Sequence, residues 1–233
     1  MPGAYRCVGC LRGGCQGALV PGVVHRVREG YDARMGRILA AALLFVSAAG
    51  ATEAPEKFRV RLETTKGAIV IECVRAWAPH GADRFYELVT SGYYDDAAIF
   101  RIRPKTWAQF GIAGLPTIAQ AWRTRTIPDD PFREPNVRGT VAFAWAVPNG
   151  RTTQVFINLR DNRDTHDKEP FVPFGRVIEG MDVADALFEE YGEAAGGGIR
   201  AGKQDPVFRG GNEYLRKNFP KLDYIKTAHV ETN

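Results

Sequence analysis

Apolar and polar side chains alternate along several short stretches of this chain, and this pattern limits the folds open to it. The clearest stretch is FRVRLETTKGAIVIECV, residues 58–74, in which Phe58, Val60 and Leu62 face one way and charged residues face the other. Alternation with a period of two is typical of a half-buried β-strand. A turn at 65–67 divides the stretch, so the chain is predicted to open its domain with a β-hairpin.

Four further stretches carry strand signals, and few helices accompany them. The strands are predicted at 140–146, 153–159, 171–177 and 223–230. Apolar residues at helical spacing predict two substantial helices and a short one, at 78–92, 180–191 and 212–218. Short strands that do not alternate regularly with helices favour a closed antiparallel β-barrel or a sandwich over a parallel α/β fold.

Two irregular regions separate these elements. The stretch GIAGLPTIAQAWRTRTIPDDPFREPNVRG, residues 111–139, holds four prolines. Because proline interrupts backbone hydrogen bonding, no long helix or strand is expected there. The glycine run at 196–198 is interpreted as a flexible joint before the C-terminal helix and strand.

The segment MGRILAAALLFVSAAGATEA, residues 35–54, has the pattern of a secretory signal peptide. It has a positive start, an apolar run at 38–46 and small residues before a cleavage point near Ala51. This pattern predicts a periplasmic or secreted protein, and the apolar run is too short for a permanent membrane span. Residues 1–34 are then a mis-assigned or disordered N-terminal extension, because Met35 resembles a natural start. The alternative interpretation of the apolar run is a buried N-terminal helix.

Charge is balanced in the rest of the chain. The overall excess of four positive charges comes from residues 1–51, which hold six arginines and only two acidic residues. The remaining 25 basic and 25 acidic residues leave 52–233 neutral. A nucleic-acid partner is therefore not expected, since it would require a basic face.

The cysteines give no strong metal signal. Cys7, Cys10 and Cys15 could be combined with His25 as zinc ligands, but only one closely spaced pair is present. Cys73 alternates with apolar residues on one side of a strand, which favours a buried structural thiol. We predict neither a metal nor a cofactor.

Two stretches combine polar and aromatic side chains in a way that suggests a site. IFRIRPKTWAQFG, residues 99–111, sets arginines and a glutamine among aromatic residues, and TTQVFINL, residues 152–159, places Gln154, Phe156 and Asn158 on one strand face. An amide beside a phenyl ring is unusual on a solvated face and suits a groove that binds extended peptide. Serine-hydrolase and phosphate-binding motifs are absent from the sequence.

These stretches resemble motifs of the cyclophilin-type peptidyl-prolyl cis-trans isomerases. Residues 99–111 resemble the family's F-H-R-x-x-P-x-F-x-x-Q-G-G, and FAWAVPNGRTTQVFI, residues 143–157, resembles its M-A-N-x-x-P-N-x-x-x-S-Q-F-F-I. PFGRVIEGM, residues 173–181, resembles its V-F-G-K-V-x-x-G-M. The resemblance covers about 58–192. It implies an eight-stranded closed antiparallel barrel capped by two α-helices, with 52–233 as the isomerase domain and a helix-strand extension at its C-terminal end.

The resemblance also implies the roles of individual residues. Arg101 takes the position of the catalytic arginine, and no cofactor is implied. Substrate-binding positions fall on Gln109, Ala144, Trp145, Gln154 and Phe156. Four further positions depart from the family pattern but are still expected to line the site: Thr106 and Trp107 where a phenylalanine is usual, Phe171 for a histidine, and His166 near a missing tryptophan. That missing tryptophan implies low cyclosporin sensitivity.

The partners implied are proline-containing polypeptides, bound by a chain that is expected to act as a monomer. Two alternatives stay open. The first is a catalytically weak relative that binds peptides without isomerising them. The second is a secreted interaction module that uses the proline-rich stretch at 114–139 as a contact surface.

Overall fold

The structure is a computed structural model that describes residues 53–198 and 202–232. The predicted extension at 1–34, the predicted signal peptide at 35–51 and the N-terminal cysteines lie outside the described residues. Among the described helices, none is both long enough and apolar enough to cross a membrane.

A single antiparallel sheet of nine strands forms the body of the described chain. The strands are β1 Lys57–Thr64, β2 Ala68–Val74, β3 Ala97–Ala98, β4 Arg101–Arg103, β5 Trp107–Phe110, β6 Thr140–Phe143, β7 Val155–Asn158, β8 Pro173–Glu179 and β9 Tyr224–Val230. Their order across the sheet is β3-β9-β1-β2-β8-β6-β7-β5-β4. The predicted hairpin is confirmed as β1 and β2, which pair from Lys57 with Val74 to Glu63 with Ala68.

The sheet curls on itself without forming a continuous ladder around the barrel. Its two outermost strands, β3 and β4, are separated along the chain only by Ile99 and Phe100, and both residues are buried. No pairing between β3 and β4 is found among the described residues. The mainly-β expectation is thus confirmed, but the closed eight-stranded barrel was wrong: the described strands form a curled nine-stranded sheet whose edge strands are linked by Ile99 and Phe100 and not by a hydrogen-bond ladder.

The described residues contain five α-helices: α1 Pro79–Thr90, α2 Pro116–Trp122, α3 Arg163–His166, α4 Met181–Asp185 and α5 Asp205–Asn218. Periodicity predicted three of them and missed α2 and α3, and the two capping helices implied by the resemblance were also too few. One short helix, α2, lies inside the proline-rich region because Pro116 occupies its first turn, where no intrahelical N–H is required. A further 3-10 turn covers Ala194–Gly196.

The helix predicted at 180–191 ends earlier than expected. In the structure it is α4, which stops at Asp185. The backbone N–H of Phe188 instead donates to Asp223 Oδ2 at 2.7 Å, just before β9. This long-range hydrogen bond turns the chain away from the helical path and starts a loop that passes across β4.

The core lies between α1 and the concave side of the sheet. The apolar face of α1 buries Phe85 and Leu88, and the Phe85 ring lies 4.8 Å from that of Phe174 on β8. Cys73 is also fully buried there, as expected of a structural thiol, and burial raises the pKa of its thiol well above the usual range. Asp130, from the proline-rich region, accepts the N–H groups at the start of α1 and fixes that helix to the following loop.

Candidate active site

Three neighbouring strands place an arginine, a glutamine and a phenylalanine in one row. The β4–β5 register sets Arg101 opposite Gln109, and the β5–β7 register sets Gln109 opposite Phe156. Directly opposed residues of an antiparallel pair point to the same face of the sheet. Residues that are distant along the chain are therefore adjacent in space because of strand register alone.

The guanidinium of Arg101 is contacted at both terminal nitrogens and on one face of its plane. Its Nη1 donates to Gln109 Oε1 at 2.9 Å, and its Nη2 donates to Glu193 Oε2 at 3.0 Å. The guanidinium carbon lies 4.6 Å from the centre of the Trp107 ring, in a cation–π arrangement. Burial lowers the pKa of Arg101, and the hydrogen bond that Arg101 donates to Glu193 opposes that shift. The group remains a cation at neutral pH, since an arginine does not lose its proton in proteins.

A chain of side-chain amides continues from this arginine. Gln109 Nε2 donates to Gln154 Oε1 at 2.7 Å. Gln154 and Gln204 then exchange amide hydrogen bonds, at 2.9 Å from Gln154 Nε2 and 3.0 Å from Gln204 Nε2. Each amide orients the next, so the direction of the Gln109 carbonyl toward Arg101 is fixed.

An aromatic pocket adjoins the arginine. Trp107, Phe156 and Ala142 form an apolar cluster that is separate from the main core, and Phe171 packs against it. The Phe156 ring lies 5.3 Å from the His166 ring and 5.4 Å from the Phe171 ring, edge to face. The Trp107 indole, which is 9% exposed, supplies a wall at the place where the sequence pattern lacks a phenylalanine.

The ring of His166 is oriented by buried amides beneath the pocket. Asn158 Nδ2 donates to Thr140 Oγ1 at 2.9 Å, which leaves Asn158 Oδ1 as an acceptor. His166 Nδ1 lies 3.1 Å from that oxygen and must therefore carry a proton. Burial lowers the pKa of His166, so the neutral ring is favoured, with its Nε2 lone pair free of this contact.

A cavity of about 620 Å³ connects these groups. All ten sequence-predicted site residues line it: Arg101, Thr106, Trp107, Gln109, Ala144, Trp145, Gln154, Phe156, His166 and Phe171. Ala144 N–H donates to Gln154 O at 2.9 Å, and this contact anchors the loop that carries Trp145. The volume suits a peptide segment rather than a single small ion.

Other residues that line the cavity were not predicted from the sequence. Two of them make side-chain hydrogen bonds to predicted residues: Glu193 to Arg101, and Gln204 to Gln154. Both follow the last recognisable motif and lie in stretches without regular periodicity. The only nearby signal was the glycine run, which was interpreted as a joint although Gly196 packs against the Arg101 stem.

No group of three or more potential metal-ligating side chains is found within 53–198 and 202–232.

Comparison with known proteins identifies the relatives of this chain. A family model described as "Cyclophilin type peptidyl-prolyl cis-trans isomerase/CLD" matches residues 59–201. The chain is 36% identical over 138 residues to peptidyl-prolyl cis-trans isomerase cyp18 of Streptomyces antibioticus, covering 55% of this chain and 81% of that protein. It is 30% identical over 169 residues to peptidyl-prolyl cis-trans isomerase A of Dickeya dadantii, covering 69% of this chain and 88% of that protein.

A solved structure agrees with the fold. The crystal structure of a cyclophilin type peptidyl-prolyl cis-trans isomerase of Cryptosporidium parvum superposes with a TM-score of 0.54 at 18% sequence identity. The match covers 76% of this chain and 99% of that chain. At this identity the likeness concerns the fold alone.

Proposed function

Since this chain belongs to the cyclophilin-type peptidyl-prolyl cis-trans isomerase family, we propose that it catalyses rotation about X-Pro bonds in polypeptides and so assists protein folding. The observation that carries the proposal is the position of Arg101. Its guanidinium is held by Gln109 at the edge of an aromatic pocket large enough for a proline ring.

The reaction to be accelerated is a bond rotation that breaks no bond. The cis and trans forms of an X-Pro bond differ by only about 0.5–1 kcal/mol, yet they interconvert in tens to hundreds of seconds. The barrier comes from amide resonance and is about 18–20 kcal/mol. At the twisted transition state this resonance is lost, and the prolyl nitrogen becomes pyramidal and gains a lone pair.

Arg101 is suited to stabilise that transition state. A guanidinium N–H directed at the prolyl nitrogen forms a stronger hydrogen bond once the lone pair has developed, so it favours the transition state over the ground state. The bonds to Gln109 and Glu193 use one hydrogen on each terminal nitrogen, and each nitrogen keeps a second one. Donors therefore remain for the substrate.

The neighbouring groups bind and orient the peptide. The rings of Phe156, Phe171 and Trp107 offer an apolar pocket for the proline ring. Gln154 and the backbone at Ala144 and Trp145 line the adjoining groove, where an extended peptide backbone needs hydrogen-bond partners. These assignments place binding in the pocket and groove, and the chemical contribution on Arg101.

A protease-coupled assay with a prolyl tetrapeptide tests the proposal. The full chain is expected to accelerate cis-to-trans conversion, and Arg101→Ala is expected to lower the catalysed rate about 100-fold, the loss typical of one transition-state donor. Arg59→Ala, an exposed arginine on β1, serves as the matched control and should retain the wild-type rate. Equal rates for wild type and Arg101→Ala would refute the arginine assignment. Binding without acceleration would favour a catalytically weak peptide-binding protein.

We also propose that the protein acts in the cell envelope or outside the cell. The proposal is supported by the sequence of residues 35–51, which has a positive start, an apolar run and small residues before Ala51. Mass spectrometry of the native N-terminus tests it. A mature chain that begins near Thr52 is expected, and a chain that retains residues 35–51 would contradict it.

A further inference from the structure

Glu193 lies outside all three sequence motifs, yet its carboxylate contacts the proposed catalytic group. Its Oε2 accepts from Arg101 Nη2 at 3.0 Å, and its side chain is 20% exposed while that of Arg101 is 10% exposed. Both side chains are thus mostly withdrawn from solvent. The contact is therefore a specific ion pair within the site rather than a pair on an open surface.

The position of Glu193 is set by backbone contacts to the strand that carries Arg101. The Ile102 N–H, on β4, donates to the carbonyl of Gly192 at 2.9 Å. The Gly198 N–H donates to the carbonyl of Glu193 at 2.9 Å, and Gly196 is buried against the Arg101 stem. One main-chain hydrogen bond thus ties the loop of Glu193 to the strand that carries Arg101, and a second one, within the loop, holds the turn that follows Glu193.

The geometry assigns Glu193 the role of a second anchor for the guanidinium. Gln109 alone would hold Nη1 and leave the planar group free to swing about the bonds at the end of its side chain. A bond to Nη2 on the opposite arm fixes the plane, and the Trp107 ring limits movement perpendicular to it. A fixed plane matters because catalysis by a directed donor depends on orientation.

We propose that Glu193 is a positioning residue that holds Arg101 in its productive orientation through a hydrogen bond. This inference rests on the proposed isomerase function. Positioning Arg101 requires a hydrogen-bond acceptor here more than it requires a negative charge. Glu193→Gln should therefore retain more activity than Glu193→Ala. Alanine would leave the Nη2 arm of a largely buried cation without its partner.

Steady-state kinetics on the full chain separates these variants. Glu193→Ala is expected to lower kcat about tenfold with KM within about twofold, as for a misoriented donor that still lets substrate bind. Glu193→Gln should remain within about threefold of wild-type kcat, because the amide oxygen can still accept the hydrogen bond. Glu190→Ala is the matched control, since Glu190 is exposed on the same loop and no hydrogen bond to its side chain is found among the described residues.

Nitrogen-15 NMR of the arginine side chains gives a readout that does not depend on activity. The guanidinium signals of Arg101 are assigned by their loss in Arg101→Lys. In the wild type, its two terminal nitrogens should give separate signals because rotation is restricted. These signals should merge in Glu193→Ala and stay separate in Glu193→Gln and Glu190→Ala.

The outcomes distinguish this inference from the proposed function. Absence of catalysis by wild type would refute the isomerase proposal, whereas the NMR signals would still decide whether Glu193 fixes Arg101. Wild-type kcat together with unchanged Arg101 signals in Glu193→Ala would overturn the positioning role. Equal loss in Glu193→Gln and Glu193→Ala would also overturn it, since the hydrogen bond would then not be the operative contact.

Discussion

Replacing Gly196 by alanine is expected to lower isomerase activity by displacing Arg101. A Cβ atom at Gly196 would lie 2.8 Å from both Cβ and Cδ of Arg101 and 3.0 Å from its Cγ. The backbone φ of Gly196 is not in the left-handed region, so alanine is compatible with the local conformation. The added methyl group therefore acts through its contact with the arginine stem.

The size of the effect follows from these distances. Ordinary Cβ contacts begin at 3.4 Å, so the loop and the arginine must separate by about 0.6 Å. Overpacking of this kind costs about 1–3 kcal/mol of folding stability. A displacement of about 1 Å at a catalytic group costs about 100-fold in rate, so a loss of roughly tenfold in kcat/KM is expected here.

The assay compares kcat/KM for a prolyl tetrapeptide with the free energy of unfolding in urea. Gly81→Ala is the matched control, because a Cβ there would meet its nearest neighbour, Asp130 Oδ2, at an acceptable 3.4 Å. That variant should retain wild-type activity, and its stability should stay unchanged or rise by up to about 1 kcal/mol, since alanine is preferred to glycine in a helix. Wild-type kcat/KM in Gly196→Ala would refute the view that this loop holds Arg101 in place.

Two further predictions concern stability. Asp130→Ala should lower the free energy of unfolding by about 3–5 kcal/mol in urea titration, because it removes a carboxylate 3.1 Å from the buried Arg151, which keeps Asp129 at 3.3 Å, and removes the acceptor for two α1 N–H groups. A loss below about 1 kcal/mol, as expected for an exposed pair, would contradict it. Because burial lowers the pKa of His166 in the folded state, the unfolded chain binds this proton more readily, so stability should fall as the pH drops below about 6.5. His166→Gln should reduce that dependence between pH 7 and 5.5, and a slope equal to that of wild type would contradict the assignment.

Local sequence patterns were sufficient to predict the elements that bury one continuous face. The β1–β2 hairpin and α1 followed from periodicity, because one face of each is buried continuously against the core. The candidate site residues were implied by the resemblance to family motifs, and the hairpin register sets two of them, Arg101 and Gln109, opposite each other.

Contacts between distant segments were not predictable in this way. α4 ends early because of the hydrogen bond from Phe188 to Asp223, which lies 35 residues away. Glu193 reaches Arg101 across a separation of 92 residues, through a loop without periodicity. Only the folded arrangement of that loop over β4 brings the carboxylate into the site.

The aromatic pocket, too, could be predicted from the sequence only in part. The sequence pattern raised the question of how a site with Thr106 and Trp107 in place of a phenylalanine could hold a proline ring. In the structure the indole contacts both the Arg101 guanidinium and the Phe156 cluster, so it contributes to the cation–π contact and to the apolar wall. The side-chain conformation of Trp107 depends on neighbours from three strands, so it could not be predicted from the local sequence.

Arg101 is proposed to make the groove catalytic and not merely peptide-binding, and two-dimensional exchange NMR of an Ala-Pro peptide tests this role most directly. One sample reports both binding, through chemical shifts, and interconversion, through exchange peaks between the cis and trans signals. Wild type is expected to bind the peptide and accelerate exchange, whereas Arg101→Ala should bind within about threefold of wild type and lose about 100-fold in the catalysed exchange rate. Equal exchange rates for the two proteins, or binding by wild type without any acceleration, would contradict the account.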